Sequence, residues 1–459
     1  MLNLNISDIE KMNSVLAVSK DRALPFAGID IDSRVLKPGN FFVAIKGVDR
    51  DGNDHRMAAI EAGAAGIISE LAPNDMITNT SASYIQVSEI DIFLKELIKL
   101  ILEKYTVKII AITGTCGKTS VKEFLAQMLS PEFEVLKSPA SYNNLYGLAL
   151  TLCSIKRSTE IAVLECGTNH PGEISVLSNL IRPHTVILTN VGEGHLENFK
   201  NIAGVMKEKI SIVEGLREGG TLFFNGDQDE LNILKLNSKI KAVSFGFTGA
   251  CDHKINIKSY AADGVAFSLD NEVYSTKLSG KHNIYNLAAA MSAANFYGVH
   301  LDGLKEKIRK IDSVKLRFEK TLVDDVYFIF DCYNANPLSF RAALSSLMED
   351  NCSGRKMVVA GDMLELGEES DILHFKTGKN IHLSGAEFLF SYGEKGKVIA
   401  QGAISSGMKK ENVFSFMDID KLACKIKQIS KKDDVILVKG SRKLKMEGIK
   451  ECFTTSCIR

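Results

Sequence analysis

The segment KIIAITGTCGKTSVKEFLAQML, which begins at Lys108, constrains the fold more than any other part of the chain. A run of apolar residues predicts a buried strand, two glycines predict a tight loop, and apolar residues at helical spacing follow. The helix therefore begins at the end of this short loop, and its free N–H groups and the positive end of its dipole are directed at the loop. This order of elements predicts a phosphate-binding loop at the edge of a layered α/β sheet.

The loop is shorter than the common phosphate loop, G-x-x-x-x-G-K-[ST], because only two residues separate Gly114 from Gly117. Glycines let a backbone close around a phosphate without a Cβ clash. The Lys118 side chain can reach the outer phosphates of a nucleotide, and the Thr119 hydroxyl suits Mg²⁺. A bare Gly-Lys-Thr also fits an ordinary helix start, but the flanking strand and helix favour nucleotide binding. The predicted nucleotide-binding residues of the loop, with Cys116 as a small filler, are Thr113, Gly114, Thr115, Cys116, Gly117, Lys118 and Thr119.

The length of 459 residues predicts about three domains. Continuous apolar strands that alternate with helices indicate a parallel sheet covered on both faces. We predict an α/β protein with a small N-terminal α/β domain at 1–104, a central P-loop parallel-sheet domain at 105–313 and a C-terminal Rossmann-like α/β domain at 314–459.

The predicted elements can be given as sequence blocks. Strands of the first domain are GIDIDSRVL and NFFVAIKG, and a helix is predicted from Ile90 to about Tyr105. Strands of the second domain are KIIAIT, IAVLEC, TVILTN and GTLFFN, followed by an amphipathic helix in GKHNIYNLAAAMSAANFYGV. Strands of the third domain are VYFIFD, KMVVAGD, EFLFSYG and DVILVKG.

Charge and composition exclude several classes of protein. Lysine plus arginine equals aspartate plus glutamate, 56 against 56, so no overall field favours nucleic acid or an acidic membrane. No stretch approaches the about 20 continuous apolar residues that span a bilayer, and the N-terminal MLNLNISDIEKMNS lacks the order of a signal peptide. The nine cysteines form no C-x-x-C pair, which predicts neither a disulfide framework nor a zinc site. We expect a cytoplasmic protein without nucleic-acid binding or membrane insertion.

Two polar residues lie where predicted strands end. Glu165 terminates IAVLE, and His195 lies just past TVILTN. Because the carboxyl ends of parallel strands meet at the ligand-binding edge of an open sheet, both are predicted to contact metal or phosphate near the loop. Taken alone, Glu165 would be a structural carboxylate and His195 a surface histidine. Lys209, in MKEKISIVEG, would by default be a solvated helix lysine.

Blocks along essentially the whole chain resemble the Mur ligase family, the ATP-dependent amino-acid ligases of peptidoglycan synthesis. They are DSR (Asp32–Arg34), TGTCGKT, ECGTNHPGEI, NVGEGHLENF, GKHNIYNLAAA, LRFE, DCYNANP, GDMLELGEES and VKGSRKLKME. YNANP, NHPGEI and GDMLELGEES resemble the branch that adds a dipeptide. The resemblance implies a cytoplasmic, monomeric enzyme that uses ATP and Mg²⁺. It would join D-alanyl-D-alanine to UDP-N-acetylmuramoyl-tripeptide through an acyl phosphate.

The resemblance also implies catalytic and metal-binding roles. Lys118 would neutralise the γ-phosphate, while Thr119 and Glu165 would hold one Mg²⁺ and His195 a second. Lys209 aligns with the lysine that the family uses as a carbamate, which bridges metal or positions phosphate.

Further binding residues follow from the same resemblance. Contacts to the nucleotide from outside the loop are Asn283, Asn286, Arg317 and Asp331. Contacts to the UDP-linked substrate are Asp32, Ser33, Arg34, Tyr142, Asn143 and Asn144. Contacts to the dipeptide are Asn334 and Asn336. The chain departs from the family's pattern at Asn53, His55 and Cys332.

Two other functions remain open at this point. A folylpolyglutamate synthase shares the short loop and the acyl-phosphate route, but this alternative does not explain the blocks DSR and YNANP. A regulatory P-loop NTPase module would hydrolyse nucleotide without any amine.

Overall fold

The computed structural model of the protein describes residues 2, 4–19, 25–47, 50–237, 239–261, 264–351 and 353–454. Within these residues the strands form sheets of two, five, nine and six strands. The two smaller sheets define an N-terminal lobe, the nine-stranded sheet a central lobe and the six-stranded sheet a C-terminal lobe. The prediction of a three-part α/β fold is confirmed. No helix in these ranges is long and apolar enough to cross a membrane.

The N-terminal lobe is a small mixed sheet covered by short helices. Its five strands, in spatial order, are Val15–Ser19, Ser83–Val87, Gly66–Ser69, Phe41–Val43 and Ile29–Asp30. The two-stranded sheet is Leu4–Asn5 with Pro25–Phe26. The helices are Ile6–Ile9, Arg56–Glu61, Asp75–Thr78 and Ile90–Lys104, with 3-10 turns at Ser33–Val35 and Gly52–His55. The predicted helix from Ile90 is therefore confirmed.

The central sheet carries the phosphate loop near its middle. In spatial order its strands are Glu272–Thr276, Gly264–Leu269, His253–Ala261, Lys241–Gly246, Thr221–Asn225, Thr185–Leu188, Lys108–Thr113, Ile161–Glu165 and Val135–Lys137. All four predicted strands are present, and neighbours are parallel from Val135–Lys137 to His253–Ala261.

The last two strand pairs of this sheet are antiparallel, which the prediction of a parallel sheet missed. The final hairpin turns at Asp270 and Asn271, both of which have positive φ angles of 50° and 78°. Aspartate and asparagine tolerate this backbone better than most residues, so a two-residue Asp-Asn turn between alternating residues is a readable hairpin signal.

The helices of the central lobe cover both faces of the sheet. They are Lys118–Leu129, Leu145–Leu152, Glu173–Ile181, Leu196–Phe199, Ile202–Ile210, Lys281–Phe296 and Lys305–Lys310, with 3-10 turns at Ser211–Gly215, Asp229–Leu236 and Leu301–Leu304. Lys118–Leu129 packs against Lys281–Phe296. Lys281–Phe296 was predicted to be amphipathic, but it is buried along most of its length. Its many alanines allow this close packing because they add little bulk.

The C-terminal lobe is also built on a mostly parallel sheet. Its strands, in spatial order, are Glu319–Val323, Val326–Phe330, Val435–Lys439, Lys356–Gly361, Phe388–Tyr392 and Val413–Phe416. Only the first pair is antiparallel. The helices are Pro337–Glu349, Ser370–Leu383, Gly396–Ser405, Ile419–Ile429 and Ile449–Thr454, with 3-10 turns at Gly367–Glu369, Lys410–Asn412, Arg442–Leu444 and Met446–Gly448. The four predicted strands of this lobe are confirmed.

The cysteines depart from the prediction at one position. The free thiols among the described residues are Cys116, Cys153, Cys166, Cys251, Cys332 and Cys452. Cys424 is disulfide-bonded, although its sequence spacing gave no sign of a partner.

Candidate active site

A cavity of about 460 Å³ lies where the carboxyl ends of the central strands face the C-terminal lobe. It brings together most of the residues that the sequence predicted from three separate parts of the chain. The predicted residues that line it are Thr115, Cys116, Gly117, Lys118, Thr119, Asn143, Glu165, His195, Asn283, Asn286, Arg317, Asp331, Asn334 and Asn336. Thr113 and Gly114 lie directly behind it, where Thr113 ends the first central strand.

The phosphate loop has a backbone that only glycine accommodates at two points. Gly114 and Gly117 have φ angles of 147° and 85°, and a Cβ on Gly114 would lie 1.9 Å from the Thr189 hydroxyl. The Lys118 ammonium donates to the Gly114 carbonyl at 2.8 Å, and burial lowers the pKa of Lys118. The lysine is thus folded back over the loop, within reach of a phosphate placed there.

Two residues that the sequence analysis missed hold the loop in this shape. The Thr189 hydroxyl donates to the Cys116 carbonyl at 2.5 Å. The Asn190 side chain accepts from the Cys116 N–H at 2.9 Å and donates to the Cys116 carbonyl at 3.1 Å. Both residues end the predicted strand TVILTN, and that position was the available signal.

Thr119 and Glu165 form the oxygen-rich part of the cavity. The Thr119 hydroxyl donates to Glu165 Oε2 at 2.9 Å, and Asn143 Nδ2 donates to Glu165 Oε1 at 3.2 Å. Arg317 Nη2, from the C-terminal side, donates to the Thr119 hydroxyl at 2.9 Å. A buried carboxylate beside a hydroxyl is a donor set that suits Mg²⁺. No group of three or more His, Cys, Asp or Glu side chains gathers as a metal site within the described ranges.

His195 faces the same cavity but is held by the C-terminal lobe. Its Nδ1 lies 2.5 Å from Glu365 Oε2, and the Glu197 N–H donates to the Glu365 carbonyl at 3.1 Å. The close contact with His195 lowers the pKa of Glu365. The angle of this close contact is not that of a hydrogen bond, so Nδ1 is buried without a hydrogen-bond partner among the described residues, while the His195 side chain lines the cavity. Glu365 lies in GDMLELGEES, a block noticed in the sequence without a role for this residue.

Lys209 is buried, with 1% of its surface exposed, so the interpretation as a solvated helix lysine is wrong. Burial first, and the nearby Lys118 ammonium second, lower the pKa of Lys209 to about 7. Glu208 turns away, because its carboxylate accepts from the Gly172 and Ile174 N–H groups at 2.7 and 2.8 Å. Among the described residues no carboxylate lies within ion-pair distance of the Lys209 ammonium.

The N-terminal part of the buried helix Lys281–Phe296 also lines the cavity, and Asn286 lies against Gly117 of the phosphate loop. Asn283 and Asn286 are 3% and 8% exposed. The sequence analysis missed Asp227, which lines the cavity beside the same helix. Its carboxylate accepts from the Tyr285 hydroxyl at 2.5 Å and from the Phe247 N–H at 2.7 Å.

Arg317 lies on a strained segment that joins the central and C-terminal lobes. Its neighbours Leu316 and Phe318 have φ angles of 60° and 56°, which are unusual for bulky side chains. The guanidinium lies 4.3 Å from the centre of the Tyr333 ring, and its Nε is buried without a hydrogen-bond partner. Strain and an unsatisfied donor are both features of functional sites, and a bound anion would satisfy this donor.

The other predicted residues of the C-terminal lobe have structural partners. Asp331 Oδ2 accepts from the Lys439 ammonium at 2.6 Å, and Lys439 is 1% exposed. Asn336 caps the helix Pro337–Glu349 by accepting from the Ser339 N–H at 2.8 Å. Its side chain also lies 3.5 Å from Cys116 Sγ in the phosphate loop.

The residues predicted to contact the UDP-linked substrate lie mostly outside the cavity. Arg34 Nη2 donates to Asp32 Oδ2 at 2.6 Å, and this bond is the main cause that lowers the pKa of Asp32 to about 2. Ser33 begins a 3-10 turn, and Tyr142 is 43% exposed. Asn144 caps the helix Leu145–Leu152 by accepting from the Gly147 N–H at 2.9 Å.

Comparison with known proteins agrees with this geometry. Three family models match in order: the Mur ligase family catalytic domain at 25–101, the Mur ligase middle domain at 112–294 and the Mur ligase glutamate ligase domain at 316–442. A UDP-N-acetylmuramoyl-tripeptide–D-alanyl-D-alanine ligase of Bacillus subtilis is 30% identical over 453 residues, which cover 98% of each chain. The chain belongs to the Mur ligase family. As a member of this family, the protein is an ATP-dependent ligase.

Solved structures resemble this Mur ligase over almost its whole length. A crystal structure of MurF from Acinetobacter baumannii matches with a TM-score of 0.83 at 26% identity and covers 93% of both chains. MurF ligase from Thermotoga maritima in complex with ADP matches with a TM-score of 0.81 at 26% identity, over 93% of this chain and 96% of that one. The three-lobe architecture is therefore shared with these ligases.

Proposed function

We propose that this Mur ligase joins D-alanyl-D-alanine to UDP-N-acetylmuramoyl-tripeptide at the expense of ATP, through an acyl phosphate and in the cytoplasm. The observation that carries the proposal is the single cavity that joins the phosphate loop and Glu165 to Arg317 and Asn334 of the C-terminal side. The B. subtilis relative, aligned over 98% of both chains, bears the name of this reaction.

The chemistry explains why these groups lie together. A carboxylate is a poor acyl donor, and phosphorylation converts its leaving group into phosphate. Phosphoryl transfer to a carboxylate brings two anions together, so repulsion is its main obstacle. Lys118, the N-terminus of the helix Lys118–Leu129 and Arg317 would offset that charge in the cavity. The C-terminal lobe covers the cavity, which protects an acyl phosphate from hydrolysis until the amine attacks.

Two magnesium sites form the finer part of the proposal. Thr119 and Glu165 would hold one ion, because their oxygens lie 2.9 Å apart in a buried setting. His195 would help to hold the second. Bound Mg²⁺ would supply charge neutralisation on the phosphate oxygens.

We further propose that Lys209 carries a carbamate. Its pKa of about 7 leaves a large fraction of neutral amine, which is the form that adds CO₂ with release of a proton. The product is an anion close to Lys118. With ¹³C-labelled bicarbonate, a carbamate signal should appear in the NMR spectrum of the wild type and be absent from Lys209→Ala. Short carboxylates should also restore part of the activity of Lys209→Ala, and failure of both results would overturn this role.

The division of labour among domains is proposed with the boundaries 1–104, 105–313 and 314–459. The first would bind the uridine end of the substrate through Asp32, Ser33 and Arg34. The second would bind ATP, with Asn283 and Asn286 at the adenine. The third would bind the amine beside Asn334.

The test is ADP release by the purified protein with UDP-N-acetylmuramoyl-tripeptide, with and without D-alanyl-D-alanine. We expect release only when both are present, together with a product heavier by one dipeptide less water. Folate with glutamate serves as the control for the folylpolyglutamate synthase alternative. Release without any amine would instead favour a regulatory NTPase.

A further inference from the structure

Lys122 is a second buried lysine on the helix that begins at the phosphate loop, one turn beyond Thr119. It has no exposed surface. Its ammonium donates to the Ser138 carbonyl at 2.7 Å and also to the Ala140 carbonyl. Burying an ammonium costs free energy unless it is paired and hydrogen-bonded, so these contacts are needed to keep it there.

The ammonium of Lys122 also lies among carboxylates. It is 3.2 Å from Glu123 Oε1 and 4.0 Å from Glu165 Oε2. Glu165 is itself 1% exposed, and a buried carboxylate needs a nearby positive charge. Lys122 supplies that charge from the protein side, opposite the cavity.

The carbonyls that Lys122 holds belong to segment 138–144, which also contacts Glu165. The Glu165 N–H donates to the Ser138 hydroxyl at 3.2 Å, and Asn143 Nδ2 donates to Glu165 Oε1 at 3.2 Å. Ala140 has a φ angle of 42°, an uncommon backbone for alanine. The bond from Lys122 to the Ala140 carbonyl therefore supports a strained turn directly before the predicted substrate contacts.

We propose that Lys122 is a positioning residue, which fixes the Glu165 carboxylate and segment 138–144 in one arrangement. The inference rests on the proposed function, in which Glu165 holds metal and Asn143 lies beside the UDP-linked substrate. Lys122 does not touch substrate, because it lines no part of the cavity. It acts by holding the proposed metal ligand Glu165 and the proposed substrate contact Asn143 in fixed positions relative to each other.

The test compares Lys122→Met with Lys137→Met. Lys137 pairs with the same Glu123, but from the surface at 43% exposure, which makes it a matched control. We expect Lys122→Met to raise the KM for the UDP-linked substrate and the Mg²⁺ concentration for half-maximal activity by about tenfold or more each. Amide hydrogen exchange of 138–144 should also become faster. Lys137→Met should change none of these quantities.

A purely structural role predicts a different result. If Lys122→Met lowers only the melting temperature, with native KM, Mg²⁺ requirement and exchange of 138–144, the inference is wrong. If Lys122→Met does not fold, Lys122→Arg replaces it, since it keeps the charge but cannot place one nitrogen on both carbonyls. We expect smaller changes in the same direction, and native values in Lys122→Arg would overturn the inference. An inactive wild type would refute the proposed function instead, whereas the exchange measurement tests Lys122 without turnover.

Discussion

At the phosphate loop, the Glu165 carboxylate is 1% exposed and receives hydrogen bonds from Thr119 and Asn143. In the N-terminal lobe, the Asp32 carboxylate is 36% exposed and pairs with Arg34, two residues away. The first group is fixed by partners from distant parts of the chain, whereas the second is fixed by its own turn. Removing one partner of a buried charge leaves the other partner without water or another residue to replace it, so the cost is large. Exposed ion pairs contribute little to stability. We therefore expect substitutions to have large effects at the loop and small effects at Asp32.

The largest effect is expected for Lys118→Ala. This variant removes the charge that faces the transferred phosphate, so kcat/KM should fall by about 10³-fold or more. The melting temperature should change little, because the hydrogen bonds of the Lys118 ammonium within the described residues go to carbonyls of its own loop. Steady-state ADP release and a thermal melt provide the measurement, and near-native turnover would refute the role of the loop.

A smaller loss is expected for Arg317→Ala, since this residue reaches the site from the C-terminal side. Loss of one cationic donor should lower kcat/KM by about 10²-fold. The neighbouring Lys315→Ala, on an exposed residue, is the control. If Arg317→Ala kept native kinetics, the contact between Arg317 and Thr119 would have no part in the reaction.

A modest effect is expected for Asp32→Ala at the exposed turn. The KM for the UDP-linked substrate should rise by about three- to tenfold with kcat almost unchanged, because one exposed hydrogen-bonding group is lost. A loss of kcat/KM as large as that of Lys118→Ala would contradict the comparison between the phosphate loop and the exposed turn at Asp32.

The last prediction concerns the dependence of stability on pH and leaves activity at neutral pH unchanged. Burial lowers the pKa of His282, beside the cavity, and of His184 to about 4, below the about 6.5 of an unfolded chain. The unfolded state therefore binds more protons below pH 6.5, so stability should fall as pH drops from about 6.5 to about 4. His282→Gln should flatten the dependence of the melting temperature on pH, whereas His300→Gln, on an exposed residue, should not. Equal slopes in all three proteins would show that His282 does not contribute.

The sequence predicted what depends on contiguous residues. Apolar runs predicted the buried strands of the central sheet, and Gly114, Gly117, Lys118 and Thr119 predicted the loop and helix start that the structure shows beside the cavity. The antiparallel hairpin at Asp270 was missed because its strands alternate rather than run continuously apolar.

The groups that orient the site could not be predicted in the same way. Lys122 and Glu365 act on residues that are 43 and 170 positions away in sequence, Glu165 and His195 respectively. Their partners are chosen by tertiary packing, which leaves no local pattern. The burial of Lys209 belongs to the same class, since a lysine on a helix is solvated unless another element covers it.

The central claim is that the substrate carboxylate is activated by phosphoryl transfer in this cavity. The most direct measurement uses UDP-N-acetylmuramoyl-tripeptide with ¹⁸O in its reacting carboxylate, and mass spectrometry of the phosphate released with D-alanyl-D-alanine. The account predicts that each phosphate carries one oxygen from the carboxylate, because that oxygen bridges carbon and phosphorus in the acyl phosphate. Phosphate without the label, formed alongside ADP at the same rate, would mean that water attacks ATP and would contradict the account.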